Sequence, residues 1–139
     1  VWSDGEWVFK ATLPGASGRR WGLRRFALFS EYLERLTLTQ EIFALQWEFM
    51  GLALEMSRIR ILTRQPFFKG VAPTSEEIST FMEALGFKQE QHRFGDFWLR
   101  SDEDILVYDA EPGNFVKTSA GLIPIDLIIQ RRSQEVPDQ

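Results

Sequence analysis

The sequence contains no cysteine, so disulfides and thiolate metal sites are excluded. Its single histidine, His92, has no visible partners for a catalytic triad or an imidazole metal site, and it reads as a surface residue. An excess of basic charge is also missing. Sixteen Lys and Arg stand against twenty Asp and Glu, for a net charge of -4 and a pI of about 5.1. That balance argues against nucleic acid as the main partner. The local pairs Arg19-Arg20, Arg24-Arg25 and Arg131-Arg132 read as solvated surface. No apolar run approaches the roughly 18 residues of a membrane span. No secretory signal is visible, so no membrane partner is expected and a cytoplasmic setting is the default. Internal repeats and low-complexity tracts are absent too.

What remains is an ordinary globular composition. The chain has 139 residues, 44% hydrophobic and 26% charged, enough for one domain with one core. Aromatics reach 14%, with twelve Phe and five Trp. So heavy a supply implies either a well-filled core or a surface that docks onto something else. The chain opens on Val1 rather than Met, which points to a piece of something larger or to a processed product.

Local patterns divide the chain. Val1-Trp2, the turn Ser3-Asp4-Gly5-Glu6 and Trp7-Val8-Phe9-Lys10-Ala11 read as a hairpin, with Gly supplying positive φ. Residues 13–18 form a loop. From about Trp21 to Leu38 the spacing is helical, with Phe26, Phe29, Leu33 and Leu36 on one face. Two short strands follow, at 49–54 and 59–62. In the second, Ile59 and Ile61 alternate with Arg58 and Arg60, as in a strand with one wet face. Pro66 ends it. Thr74-Ser75-Glu76-Glu77 opens a capped helix whose apolar face is Ile78, Phe81, Met82 and Leu85, and Gly86 ends it. Further strands are predicted at 97–99 and 105–108. A tight hairpin joins 115–117 to 122–125 through Thr118-Ser119-Ala120-Gly121. The tail from Gln130 reads as polar and frayed.

The stretch Asp109-Ala110-Glu111-Pro112-Gly113-Asn114 carries the chemistry. An Asp follows an apolar strand, an Asn comes five positions later, and Asp126 follows the next hairpin. Phosphoryl transfer needs these residue types: one carboxylate to take or orient the nucleophile's proton, and an amide oxygen with a second carboxylate to hold Mg²⁺. The hairpin folds the chain back between Asn114 and Asp126. Read in isolation, Asp109 and Asn114 are also ordinary turn residues.

This arrangement resembles the D-x-x-x-x-N catalytic loop of protein kinases and of aminoglycoside-type small-molecule kinases. Upstream, Trp7-Val8-Phe9-Lys10 is similar to the V-A-I-K strand. Glu31-Tyr32-Leu33-Glu34-Arg35 stands where the C-helix follows. The segment from Ile61 to Gly70 looks like a fifth strand running into a hinge. The order Glu-Tyr-Leu-Glu-Arg-Leu, Gln-Pro-Phe, Glu-Glu-Ile…Met…Leu-Gly-Phe, the Asp…Asn loop and Ile125-Asp126 resembles the kinase-like domain of polyvalent proteins. Those are multidomain proteins of phages and mobile elements. Two positions depart from the pattern: Val107 replaces the usual His, and Glu111 replaces the Lys or His after the catalytic Asp. A glycine-rich loop would have to lie upstream of Val1.

The resemblance implies an α+β, reduced protein-kinase-like fold over residues 1–130. A small antiparallel sheet and C-helix (1–64) would join through a hinge (65–70) to a minimal second lobe (71–130), with 131–139 as a polar tail. It implies ATP and Mg²⁺ as cofactors. Lys10 would hold phosphate with Glu31 as its partner, and backbone groups around Gln65 and Phe67 would meet adenine. Asp109 would be the base, with Asn114 and Asp126 as metal ligands. The acceptor is unnamed. The alternative is a non-catalytic module of a larger phage or mobile-element protein that binds a partner through exposed aromatics.

Overall fold

A computed structural model describes residues 1–12, 29–45, 47–91, 93 and 95–132. The chain divides into two compact units, Val1–Phe67 and Phe68–Gln139, each mixing helix with antiparallel sheet. The class is therefore α+β. The boundary falls inside the stretch 65–70.

In the first unit, β1 (Trp2–Ser3), β2 (Trp7–Ala11), β3 (Glu48–Glu55) and β4 (Arg58–Pro66) form one antiparallel sheet in the order β1-β2-β4-β3. The β1–β2 turn is held by Asp4, whose Oδ1 accepts from the N–H groups of Glu6 (2.9 Å) and Trp7 (2.8 Å). β3 and β4 meet through the two-residue turn Met56-Ser57, with φ of 51° and 63°. These are the paired left-handed residues of a type I′ hairpin. Cross-strand ion pairs join Glu48 to Arg64 at 2.7 Å and Glu55 to Arg60 at 2.6 Å.

Burial in β4 alternates, as a strand with one covered face requires. Ile61, Thr63 and Gln65 are only 2–4% exposed. Ile59 was expected on that covered face, but it is half exposed, one residue from the turn. The outer strand β3 leaves Phe49, Met50, Leu52 and Leu54 exposed.

Helix α1 spans Phe29–Phe43, so it continues past the expected end at Leu38. Thr37 and Thr39 do not stop it, because their hydroxyls bond back to the carbonyls of Leu33 (3.1 Å) and Arg35 (2.7 Å). Its buried side chains are Tyr32, Leu36, Leu38 and Thr39. Leu33 is only half-buried. The loop 13–18, residues 21–28 with Phe26, and the Phe29 side chain lie outside the described residues.

In the second unit, α2 (Ser75–Ala84) opens on a full capping box: Thr74 Oγ1 accepts from Glu77 N–H, and Glu77 accepts from Thr74 N–H, both at 3.1 Å. It closes at Gly86, φ +88°, whose N–H bonds Glu83 while Phe87 N–H reaches back to Met82, the arrangement of a Schellman stop. A four-stranded antiparallel sheet follows in the order β10-β7-β6-β5, from β5 (Lys88–Glu90), β6 (Phe97–Arg100), β7 (Ile105–Tyr108) and β10 (Ile128–Arg131). Strands β8 (Phe115–Thr118) and β9 (Gly121–Pro124) pair as a separate hairpin. All four residues of β7 are buried, together with Ile78, Met82, Phe87, Trp98, Phe115, Leu127 and Ile129.

One expectation is corrected here. Gln130 and Arg131 are not frayed tail but paired strand, opposite Leu106 and Ile105, and Gln130 is buried. Residues 133–139 lie outside the described residues, as does His92. Among the described residues no helix is long and apolar enough to cross a membrane.

Candidate phosphotransfer site

The Asp109 loop is built from the end of β7. Tyr108 is fully buried and paired with Ile128, which anchors the strand. Asp109 then turns the chain with φ of 60°, a left-handed conformation that Asp tolerates better than most side chains. Its carbonyl is turned onto the loop and accepts twice, from Glu111 N–H at 2.8 Å and from Asn114 Nδ2 at 2.6 Å. Pro112 starts a single 3₁₀ turn, Pro112–Asn114, where its missing N–H costs nothing. Asn114 N–H closes that turn onto the Glu111 carbonyl at 2.9 Å.

Asn114 is therefore fixed at both ends. Its side-chain nitrogen holds the Asp109 backbone, and its carbonyl accepts from Ile125 N–H at 2.8 Å. That last bond extends the β8–β9 ladder by one pair beyond Phe115–Pro124. Asp126, the next residue, thus stands at the same open end of the hairpin as Asn114. Asp109 and Asn114 are half-buried and Asp126 is exposed. With Nδ2 committed to Asp109, Asn114 keeps Oδ1 as an acceptor. Among the described residues no cluster of three or more His, Asp and Glu could hold a metal ion. One amide oxygen and one carboxylate suit Mg²⁺, which takes few protein ligands and completes its shell with phosphates and water. Glu111 is exposed in the same loop.

In the first unit, Lys10 lies directly opposite Thr63, and Val8 opposite Gln65. Directly opposed residues of an antiparallel pair share a face. Lys10 therefore lies on the covered face with Ile61, Thr63 and Gln65. Its Nζ is 4.6 Å from the ring centroid of Trp47, a buried side chain, in a cation–π contact of about 0.5–2 kcal/mol. The opposite face carries Arg64 over the Trp7 ring at 4.0 Å and Trp2 stacked on Phe9 at 5.6 Å. Glu31 is half-buried in the first turn of α1.

Gln65 is 4% exposed, and its Oε1 is buried without a hydrogen-bond partner. Phe67 is 47% exposed, and its N–H is already given to the Glu6 carbonyl at 2.8 Å. Pro66 has no N–H. Of the backbone groups expected to meet adenine, the N–H is thus absent at 66 and already bonded at 67, while the carbonyls are not addressed by these bonds. Sequence reasoning missed Trp47 as the residue beside Lys10. The only available signal was its place just before an apolar strand, which marks core rather than site.

The comparisons agree with this reading at the level of family. Searches among curated proteins and among solved structures gave no match. A family model described as a serine/threonine/tyrosine kinase found in polyvalent proteins matches residues 4–132, nearly the whole chain. The chain belongs to that kinase family of polyvalent proteins.

Proposed function

We propose that this domain has a reduced protein-kinase-like fold and transfers the γ-phosphoryl group of ATP to a hydroxyl acceptor. The acceptor oxygen forms a bond to the γ-phosphorus as the bond to the β-phosphate oxygen breaks, and the electron pair leaves with ADP. The acceptor's proton passes to the Asp109 carboxylate. Lys10 contacts phosphate with Glu31 as its partner. Asn114 Oδ1 and the Asp126 carboxylate hold Mg²⁺. When bound, that ion neutralises charge building on the phosphate oxygens.

The observation that carries the reading is the bond from Asn114 Nδ2 to the Asp109 carbonyl at 2.6 Å. It couples the proposed metal ligand to the proposed base. Because the amide nitrogen is used, the amide oxygen is the atom left for a cation.

The test is binding. Mg²⁺-ATP at millimolar concentration should raise the melting temperature by mass action, and Asp126→Asn should remove most of that shift. No shift would overturn the proposal. A second reading, a non-catalytic docking module, is favoured by the exposed apolar side chains of the β3–β4 hairpin: Leu54 at 78%, Met56 at 91% and Ile59 at 50%. It predicts no nucleotide shift.

A further inference from the structure

Trp47 is a buried aromatic whose polar end goes unused. Its indole Nε1 is buried without a hydrogen-bond partner, although a buried Trp usually finds one for its N–H. An orphaned donor is destabilising, and a Phe would fill apolar space without that cost. The face of the ring, by contrast, is in use. Lys10 Nζ stands 4.6 Å from its centroid, and among the aromatic side chains Trp attracts a cation most strongly. The ring's backbone is also held from two sides. Gln40, in the last turn of α1, donates its Nε2 to the Trp47 carbonyl. The next residue, Glu48, is paired with Arg64 of β4.

We propose that Trp47 is the positioning residue for Lys10: its ring keeps the ammonium in one place on the covered face, fully charged, for the phosphates of the nucleotide. The inference rests on the phosphotransfer reading, in which Lys10 contacts phosphate, and it adds the group that prepares that contact. Lysine carries its charge on a flexible four-carbon stem, and any phosphate contact has to overcome the loss of that freedom. A ring fixed to α1 and to the sheet removes part of the freedom before nucleotide binds. A carboxylate fixes an ammonium too, but it offsets the positive charge. An aromatic face is neutral, so the charge of Lys10 stays available to a triphosphate. Lys10 is half-buried rather than enclosed, which leaves part of its side chain within reach of a ligand.

The experiment is a double-mutant cycle on Mg²⁺-ATP affinity, with NMR of the free protein beside it. Trp47→Leu should weaken Mg²⁺-ATP binding about tenfold, the worth of one cation–π contact. Trp47→Phe, which keeps a weaker ring, should lose only about threefold. In a Lys10→Met background neither change at Trp47 should weaken binding further, because the ring then has no ammonium to place. Damage to the core would instead cost the same in both backgrounds. The Phe variant keeps an aromatic ring in the core and carries the cycle should the Leu variant not fold. In the free wild type the Lys10 ε-methylene protons should resonate upfield, shielded by the indole, and return to ordinary positions in Lys10's free-amino-acid range when Trp47 is replaced by Leu. Equal losses in the two backgrounds overturn the inference alone, and so does an unshifted Lys10 ε-methylene in wild type. Absence of Mg²⁺-ATP binding by wild type overturns the phosphotransfer reading, and this inference with it.

Discussion

The side-chain amide of Asn114 ties down the main-chain carbonyl of Asp109, five residues earlier, at 2.6 Å. The same carbonyl also accepts from Glu111 N–H, so both lone pairs are used and the left-handed turn at Asp109 is fixed. Asn114→Ala should therefore loosen the loop as well as remove the proposed metal ligand. The expected cost is about 1–2 kcal/mol in urea denaturation, with faster amide exchange at Glu111. An unchanged stability would show that the bond does not hold the turn.

In the proposed mechanism Asp109 takes the acceptor's proton and is not one of the two metal ligands. Asp109→Ala should leave Mg²⁺-ATP affinity nearly unchanged in titration. Phosphotransfer or ATP hydrolysis should drop by roughly 10²–10⁴-fold, the range for losing a positioned general base. A parallel loss of affinity would make Asp109 a binding residue instead.

Gly70 should resist substitution where Gly113 does not. A Cβ on Gly70 would stand 2.1 Å from the Lys117 carbonyl oxygen, whereas one on Gly113 meets nothing within 4 Å. The close approach exists because Val71 and Lys117 exchange backbone hydrogen bonds at 3.2 and 2.7 Å. Gly70→Ala has to push those backbones apart and should cost about 1–3 kcal/mol. Gly113→Ala should fall within about 0.5 kcal/mol of wild type. Equal effects, compared by chemical denaturation, would contradict the geometry.

Glu77 gives the fold an acid-sensitive contact. It pairs with Lys117 Nζ at 2.5 Å. That hydrogen bond, and the Thr74 N–H after it, hold the Glu77 carboxyl below its ordinary value of 4.5. A carboxylate with a lowered folded-state pKa stabilises above its unfolded value, and the gain fades as pH falls through the folded one. Glu77→Gln keeps the capping box, since Gln serves there too, but loses the ion pair. The variant should melt lower than wild type at pH 7, and the gap should close as the pH drops below the ordinary value. A gap independent of pH would assign Glu77 to capping alone.

Much of the fold was legible where local chemistry decides it. Thr74 with Glu77, the Ile78–Met82 spacing and Gly86 define α2 without tertiary help. The Asp-Gly turn gives the first hairpin in the same way. Strands β5 and β10 were not legible for two different reasons. Lys88-Gln89-Glu90 is polar and lies at an edge, held by its ladder to β6. Gln130 gains its burial only by pairing with β7. Lys10 shows the limit more sharply. A lysine on a strand most often faces water. In the fold, the Trp7 and Phe9 face instead carries Arg64 and Trp2, and Lys10 shares its face with buried Thr63 and Gln65. No spacing rule reveals which of two mixed faces will be covered. The Asp109–Asn114–Asp126 order was readable because a turn and a hairpin are local. The bond that couples Asn114 to Asp109 depends on the φ of one residue, which no residue pattern specifies.

The β3–β4 hairpin carries slack in its ladder, an irregularity between Phe49 and Gly51. The ion pairs Glu48–Arg64 and Glu55–Arg60 sit at its two ends and act as stops. Each is worth little by itself at the surface, yet a slide of the strands by one residue would break both together. Such a slide would also turn β3's side chains to the wrong side of the sheet, because side chains alternate with a period of two. The arginines of β4 thus help to lock the alignment of an outer strand whose apolar residues Phe49, Met50, Leu52 and Leu54 are exposed and bury too little to fix it alone.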